Sequence, residues 1–260
     1  MTRRRLDAEL VRRGLVSSRT EAQEAVRAGL VTVGGAPATK AATLVAADAS
    51  VALSGGGRRF ASRAGGKLAA ALERFDVAVS GRVCLDAGAS TGGFTDCLLQ
   101  AGAATVVAVD VGYGQLAWEL RSDPRVIVME RTNVREITLD DLPVTPELVV
   151  ADLSFISLTL VMPMLAALAP ELVVLVKPQF EAGRAEVGKG GVVRDPAVWR
   201  RVLGQVANAA ETEGLGVVAA MASPLPGSAG NVEFVLHLRR DTGSTADLDA
   251  AADEGWEVAR

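Results

Sequence analysis

The chain has 260 residues, 49% hydrophobic and 22% charged, with a net charge of −4. That length admits one large domain or two small ones. Its longest apolar runs are of strand length and are broken by charge or proline, which argues against a membrane-spanning helix. The Arg-rich start has no apolar stretch behind it and does not read as a secretory signal. The two cysteines, Cys84 and Cys97, lack metal-ligand spacing, so neither a metal site nor a structural disulfide is expected. A soluble, cytoplasmic protein is the expectation. Charge is unevenly placed: residues 1–67 hold 12 Lys/Arg against 5 Asp/Glu, whereas residues 68–260 hold 15 against 26. Such asymmetry suggests a nucleic-acid-binding arm on an acidic domain, with a solvated basic face as the plain alternative.

In chain order, Leu6, Leu10, Val11 and Leu15 make an apolar face at helical spacing that Gly14 ends. Ser18 caps a second helix, with Glu21 three positions on, and Ala22, Ala25, Val26 and Leu30 form its apolar face. Val31-Thr-Val33, followed by Gly34-Gly35, reads as a small hairpin. This module, 1–57, ends at the glycine-rich break Ser54–Gly57. A basic connector, 58–66, follows. No Phe, Tyr or Trp precedes Phe60, so stacking on single-stranded bases is not expected there. Recognition of folded RNA through its backbone is the better expectation, by Arg3, Arg4, Arg5, Arg12, Arg13 and Arg19, with Arg63 in the connector.

Across 67–240, apolar runs alternate with helix-like segments. Strands are expected at 83–85, 106–109, 126–129, 148–151, 172–176, 216–220 and 232–238, and helices at 93–101, 115–121, 157–169 and 195–213. This is the α/β pattern of a Rossmann-like, mainly parallel seven-stranded sheet with helices on both faces. The acidic residues of 241–260, set among small ones, read as a disordered tail.

The first of these strands runs into Asp86-Ala-Gly88-Ala-Ser90-Thr91-Gly92-Gly93-Phe94-Thr95, and Asp110 followed by Val111 closes the second. Glycines at a strand-to-helix turn let a ligand approach the backbone, and an acidic residue about 20 positions on can hold ribose hydroxyls. The G-x-x-x-G-G spacing lacks the G-x-G of a pyrophosphate site. Asp86 ahead of the first glycine suits a cation, and S-adenosylmethionine carries both an ammonium and a sulfonium. A purely structural glycine turn is the alternative. Four polar residues stand where polar residues are awkward: Lys67 at a helix start, Asp152 and Lys177 at strand ends, and Glu233 within an apolar run. Strand carboxyl ends open onto the ligand crevice of such sheets.

Several blocks together resemble known families. Arg5-Leu6-Asp7-x-x-Leu10-Val-x-x-Gly14, Ser18-Arg19-x-x-Ala22 and Gly29-x-Val31-x-Val33-x-Gly35 resemble the S-four-like RNA-binding domain. Six further blocks extend the likeness: Ser62-Arg63-x-x-x-Lys67-Leu68, the 86–95 loop, Val109-Asp110-Val-Gly-Tyr-Gly-Gln115, Ala151-Asp152-Leu-Ser-Phe155-Ile-Ser157, Lys177-Pro-Gln-Phe-Glu181 and Gly190-Gly-Val-Val-Arg194-Asp. With them the chain looks like the TlyA family, ribosomal RNA ribose 2′-O-methyltransferases with an FtsJ-like catalytic domain. The resemblance implies S-adenosylmethionine as cofactor, ribosomal RNA or a ribosomal subunit as partner, and cytidine ribose as target. It carries a Lys-Asp-Lys-Glu catalytic set onto Lys67, Asp152, Lys177 and Glu233, and the cofactor site onto residues 86–95 and Asp110. One departure stands out: Arg58-Arg-Phe60-Ala61 replaces the R-x-W-V of mycobacterial members. Methylation of another RNA and a non-catalytic RNA-binding assembly factor are the competing readings. A membrane-lytic protein has no amphipathic basic helix to support it.

Overall fold

The computed structural model describes residues 3–16, 18–27, 29–46, 49–53 and 60–259. The expected break at Ser54–Gly57 and the first two connector residues lie outside them. The chain divides into two compact units, 1–59 and 60–260.

In the first unit, strand β1 (Arg3–Arg5) runs into helix α1 (Leu6–Arg12), and α2 spans Arg19–Arg27. Strands β2 (Val31–Val33), β3 (Ala36–Pro37), β4 (Leu44–Ala46) and β5 (Val51–Leu53) follow. β1 pairs antiparallel with β4, and β2 lies between β3 and β5. The expected helix faces converge on one small core, where Leu6, Leu10, Ala22 and Val26 meet Val16, Val31 and Val45. Leu30 is the exception. It follows the end of α2 and is exposed. Ser18 Oγ accepts from the Glu21 N–H at 3.2 Å, the cap expected for α2.

The second unit contains α3 (Arg63–Arg74), β6 (Val83–Ala87), α4 (Gly93–Gln100), β7 (Thr105–Asp110), α5 (Trp118–Arg121) and β8 (Val126–Glu130). Then come β9 (Leu148–Ala151), α6 (Leu158–Leu168), β10 (Glu171–Val176), α7 (Pro178–Glu181) and α8 (Pro196–Thr212). The last elements are β11 (Leu215–Ala222), β12 (Phe234–Arg240) and α9 (Leu248–Val258). The seven strands lie in the order β11-β12-β10-β9-β6-β7-β8. The neighbours from β10 to β8 are parallel, and β12 runs against both of its neighbours. Alternate residues go to opposite faces, as the two-residue period of a strand requires. Leu85, Val107, Val149 and Val174 join a core with α6 and α8, whereas Cys84, Val106, Val150 and Val173 join one with α3 and α4. Burial on both faces explains the near-continuous apolar runs in the sequence.

Two expectations are corrected. The helix carrying Lys67 starts at Arg63, capped by Ser62 Oγ, so the last four residues of the expected connector are helix and Lys67 lies in its second turn. Gly65 and Gly66, which look like a break, allow close packing: a Cβ at Gly65 would stand 2.6 Å from the Gly93 carbonyl oxygen and 2.5 Å from Phe60. The expected disordered tail holds α9, whose small residues Ala251, Ala252 and Gly255 are buried. Its acidic residues face arginines: Glu254 pairs with Arg74, and Asp253 with Arg200.

Candidate functional site

The sheet order reverses between β6 and β9. The chain leaves β6 for β7 and β8 on one side, then returns to build β9 and β10 on the other. Such a switch point opens a crevice beyond the strand ends. The register makes this concrete. Ala87 pairs with Val109 and with Ala151, and Val176 pairs with Phe234. The residues just beyond these ends, Gly88, Asp110, Asp152, Lys177 and Glu233, therefore stand along one edge of the sheet. Glu233 belongs there because β12 is reversed, so its start adjoins the finish of β10.

The loop after β6 is shaped by contacts a side chain would block. Gly88 has φ +88°, and a Cβ there would stand 2.7 Å from the Asp152 carbonyl oxygen. Gly92, at φ +96°, packs under Leu116 and Leu120. Asp110 anchors the loop: its Oδ2 accepts from Ser90 N–H at 2.8 Å and its Oδ1 from Gly112 N–H at 2.6 Å. Ser90 is itself held at φ +48°, an unfavourable conformation for a residue with a Cβ. Asp86 lies beneath, fully buried. Its Oδ2 accepts from Thr95 Oγ1 at 2.6 Å, and its Oδ1 has no hydrogen-bond partner among the described residues. Burial pushes the Asp86 carboxyl up to about 7, a rise the nearby Asp152 reinforces.

Gly88, Ser90, Asp110 and Val111 line a cavity of about 440 Å³, a volume in the range of small-molecule sites. Thr91, Gly93 and Phe94 line a smaller one with Ser62 and Asp152. Asp86, Gly92 and Thr95 line neither; they stand behind the loop. Among the wall residues that were not anticipated as ligand contacts are Gln115, Thr132, Asn133, Leu153, Phe155 and Ile156. Thr132 and Asn133 follow β8, so the strand-end rule applied to that edge strand would have found them. Phe155 carries a local strain (φ +64°), is 91% exposed, and has its ring 5.1 Å from that of Phe180.

The four awkward polar residues form two ion pairs. Lys67 Nζ lies 2.5 Å from Glu233 Oε2, both buried. Lys177 Nζ lies 2.6 Å from Asp152 Oδ1 and donates to Ser154 Oγ at 2.8 Å. Pro178 at the first position of α7 fixes the backbone just after Lys177. Glu233 is held closely as well: its carbonyl accepts from Ser223 N–H at 2.8 Å, and a Cβ at Gly227 would stand 2.3 Å from its Oε1. Of the four, Asp152 also lines the cavity. Two lysines and two carboxylates along one sheet edge can orient a hydroxyl and accept its proton.

In the first unit Arg3 and Arg4 are exposed on β1, where Ala46 and Val45 of β4 face them across the pairing. Arg5 and Arg19 pair with Asp7, and Arg12 and Arg13 with Glu9. Arg63 is exposed on the first turn of α3.

A sequence profile of the FtsJ-like methyltransferase family matches residues 60–240, and that of the S4 domain matches residues 4–51. The 16S/23S rRNA (cytidine-2′-O)-methyltransferase TlyA of Mycobacterium tuberculosis is 54% identical over 244 residues, which cover 92% of this chain and 91% of that protein. Hemolysin A of Brachyspira hyodysenteriae is 38% identical over 237 residues, 90% of this chain and 98% of that one. A solved hemolysin-type structure from Streptococcus thermophilus, 38% identical, superposes with a TM-score of 0.79 over 99% of this chain and 97% of its own. Among the described residues no helix is long and apolar enough to cross a membrane.

Proposed function

The chain belongs to the TlyA family of FtsJ-like methyltransferases with an N-terminal S4 domain, and on that premise we propose that it methylates the ribose 2′-oxygen of cytidine in ribosomal RNA. The observation that carries the reading is the row of Lys177, Asp152 and Glu233 at the sheet edge beside the Gly88–Asp110 cavity, with Lys67 locked to Glu233.

The cavity fits S-adenosylmethionine. Asp110 and Asp152 put carboxylates on its wall, which suits a cationic ligand, and a bound cation would in turn favour ionisation of the Asp86 carboxyl beneath the loop. Gly88 and Ser90 would hold it from the loop, Asp110 its ribose hydroxyls, and Thr132 and Asn133 the far wall. When bound, it supplies an electrophilic methyl group on a sulfonium.

The chain's own residues do the rest. Lys177 Nζ, fixed by Asp152 and Ser154, contacts the attacking 2′-oxygen and points its lone pair toward the crevice. Lys67, fixed by Glu233, holds the target ribose or its phosphate. A ribose hydroxyl becomes strongly acidic only as its oxygen forms the new C–O bond, so its proton leaves late. A carboxylate, here that of Asp152, is then an adequate acceptor.

The test is tritiated methyl transfer to isolated ribosomal subunits from a strain lacking this protein, with Lys177→Ala alongside. Label taken up only with the unsubstituted protein, at a linkage resistant to alkali, is the expected result. Equal transfer by Lys177→Ala would refute the lysine's role, and no label in either subunit would refute the substrate.

A further inference from the structure

A surface meant for RNA phosphates gains nothing from acidic residues if charge alone matters, yet the first unit encloses two of them among its arginines. The side chains of Asp7 and Glu9 are both completely buried. Asp7 takes Arg5 in a fork, Nε to Oδ1 at 3.1 Å and Nη2 to Oδ2 at 2.8 Å. Its Oδ2 also accepts from Arg19 Nη2 at 3.1 Å and Gln23 Nε2 at 3.3 Å. Glu9 takes Arg12 in the same way, Nε to Oε2 at 2.8 Å and Nη2 to Oε1 at 2.6 Å. It also accepts from Arg13 Nε at 2.8 Å, while Arg13 Nη1 donates to the Ala49 carbonyl at 2.8 Å. Two carboxylates thus gather four guanidinium groups from β1, α1 with the residue that follows it, and α2.

The direction of the forks matters. A guanidinium has five N–H donors in one plane. Arg5 and Arg12 spend their Nε–Nη2 side inward, which leaves the Nη1–Nη2 end facing out. That end can take two oxygens of one phosphate. The exposures agree with this division: Arg5, Arg12 and Arg19 are about half exposed, at 46%, 47% and 57%, over carboxylates at 0%.

Resting on the RNA-substrate reading above, we infer that Asp7 and Glu9 are positioning residues of a phosphate-binding surface. They hold Arg5, Arg12 and Arg19 with their outer N–H groups arrayed for the backbone of folded RNA, while Glu9 ties Arg13 into the same cluster. A free arginine must be ordered by the RNA itself, which costs roughly two- to tenfold in affinity for each side chain. The carboxylates give up attraction and gain order.

The sign of one substitution separates the two effects. Glu9→Gln raises the local charge by one, so simple electrostatics makes RNA binding tighter. Positioning makes it weaker, by about tenfold at fixed salt, with KM for ribosomal subunits raised and kcat unchanged. The decisive measurement is a double-mutant cycle in the full chain: Glu9→Gln alone, Arg12→Gln with Arg13→Gln, and all three together, read by binding to a ribosomal RNA fragment. The expected result is that the loss from Glu9→Gln disappears once both arginines are gone. Asp7→Asn with Arg5→Gln and Arg19→Gln forms the second cycle. Tighter binding by Glu9→Gln, or the same loss in both backgrounds, overturns the inference. So does unfolding of the first unit in the variants, because the carboxylates would then hold the fold together instead of aiming its surface. If the unsubstituted protein itself fails to bind or methylate ribosomal RNA, the reading under Proposed function fails instead.

Discussion

Replacing Asp86 by Asn is expected to remove a loss of stability that the unsubstituted protein suffers as pH rises toward neutrality. Asp86 is fully enclosed, has one oxygen without a donor, and is pushed up to about 7 by burial from an ordinary value of 3.8. Below pH 3.8 the carboxyl is protonated in both folded and unfolded chains, and nothing is lost. Between pH 3.8 and 7 the unfolded chain releases the proton while the folded one keeps it, so stability falls as pH rises. The slope approaches 1.36 kcal/mol per pH unit, or about 4 kcal/mol across the window, and the loss is complete above pH 7. Asn does not titrate. It can keep the Thr95 hydrogen bond, but its own amide N–H groups are left unsatisfied, a constant penalty of roughly 1–3 kcal/mol. The difference in unfolding free energy between variant and unsubstituted protein should therefore shift in the variant's favour by roughly 2–3 kcal/mol between pH 5 and pH 8. Urea unfolding of both proteins without cofactor, at pH 5, 6, 7 and 8, reads that difference directly. Parallel profiles would refute the reasoning, because Asp86 would then titrate alike in the folded and unfolded chains. A bound cation favours the ionised carboxylate, so S-adenosylmethionine affinity should rise from pH 6 to pH 8 in the unsubstituted protein more than in the variant.

Lys67→Met leaves Glu233 buried without its partner and should cost about 3–5 kcal/mol in chemical denaturation. Adding Glu233→Gln should restore most of that stability but none of the methyl transfer. Gly92→Ala puts a Cβ 2.2 Å from a Leu120 methyl carbon in a left-handed conformation. It should destabilise by roughly 1–3 kcal/mol and weaken cofactor binding by calorimetry. Removing residues 244–260 deletes α9, which packs Gly255 against Phe234, next to Glu233, and caps the end of β11 through Glu254. The melting temperature should fall, and methyl transfer should fall further than cofactor affinity.

Much of this architecture was written in the sequence where burial is two-sided. β6, β7, β9 and β10 are read to within two residues because a strand covered on both faces must be apolar throughout. The 86–95 loop was legible because its glycines meet steric demands that few other residues can satisfy. The direction of β12 was not legible, since hydrophobic alternation carries no polarity, so nothing in the sequence placed Glu233 beside the end of β10. The start of α3 was hidden by Gly65 and Gly66, whose absent side chains answer to packing, Gly65 against Gly93 of α4 and Gly66 toward Leu225. The C-terminal helix was misjudged from composition. Its acidic residues are matched by Arg74 and Arg200, which lie 180 and 53 positions away along the chain. The partnership of each lysine with one carboxylate was also out of reach, because sequence listed four groups without saying which touch.

The contact between Lys67 and Glu233 joins positions 166 apart, and this has a consequence for biosynthesis. Residues 60–156, which include β6 to β9 and every wall of the larger cavity, leave the ribosome well before Glu233 is made. A growing chain can complete the walls of that cavity while one carboxylate of the proposed catalytic row is still unsynthesised. Domains fold as their residues emerge, but this row closes only when β12 inserts between β10 and β11. If the proposed row is the catalytic one, a nascent or prematurely terminated chain cannot methylate the RNA of the particle that produces it.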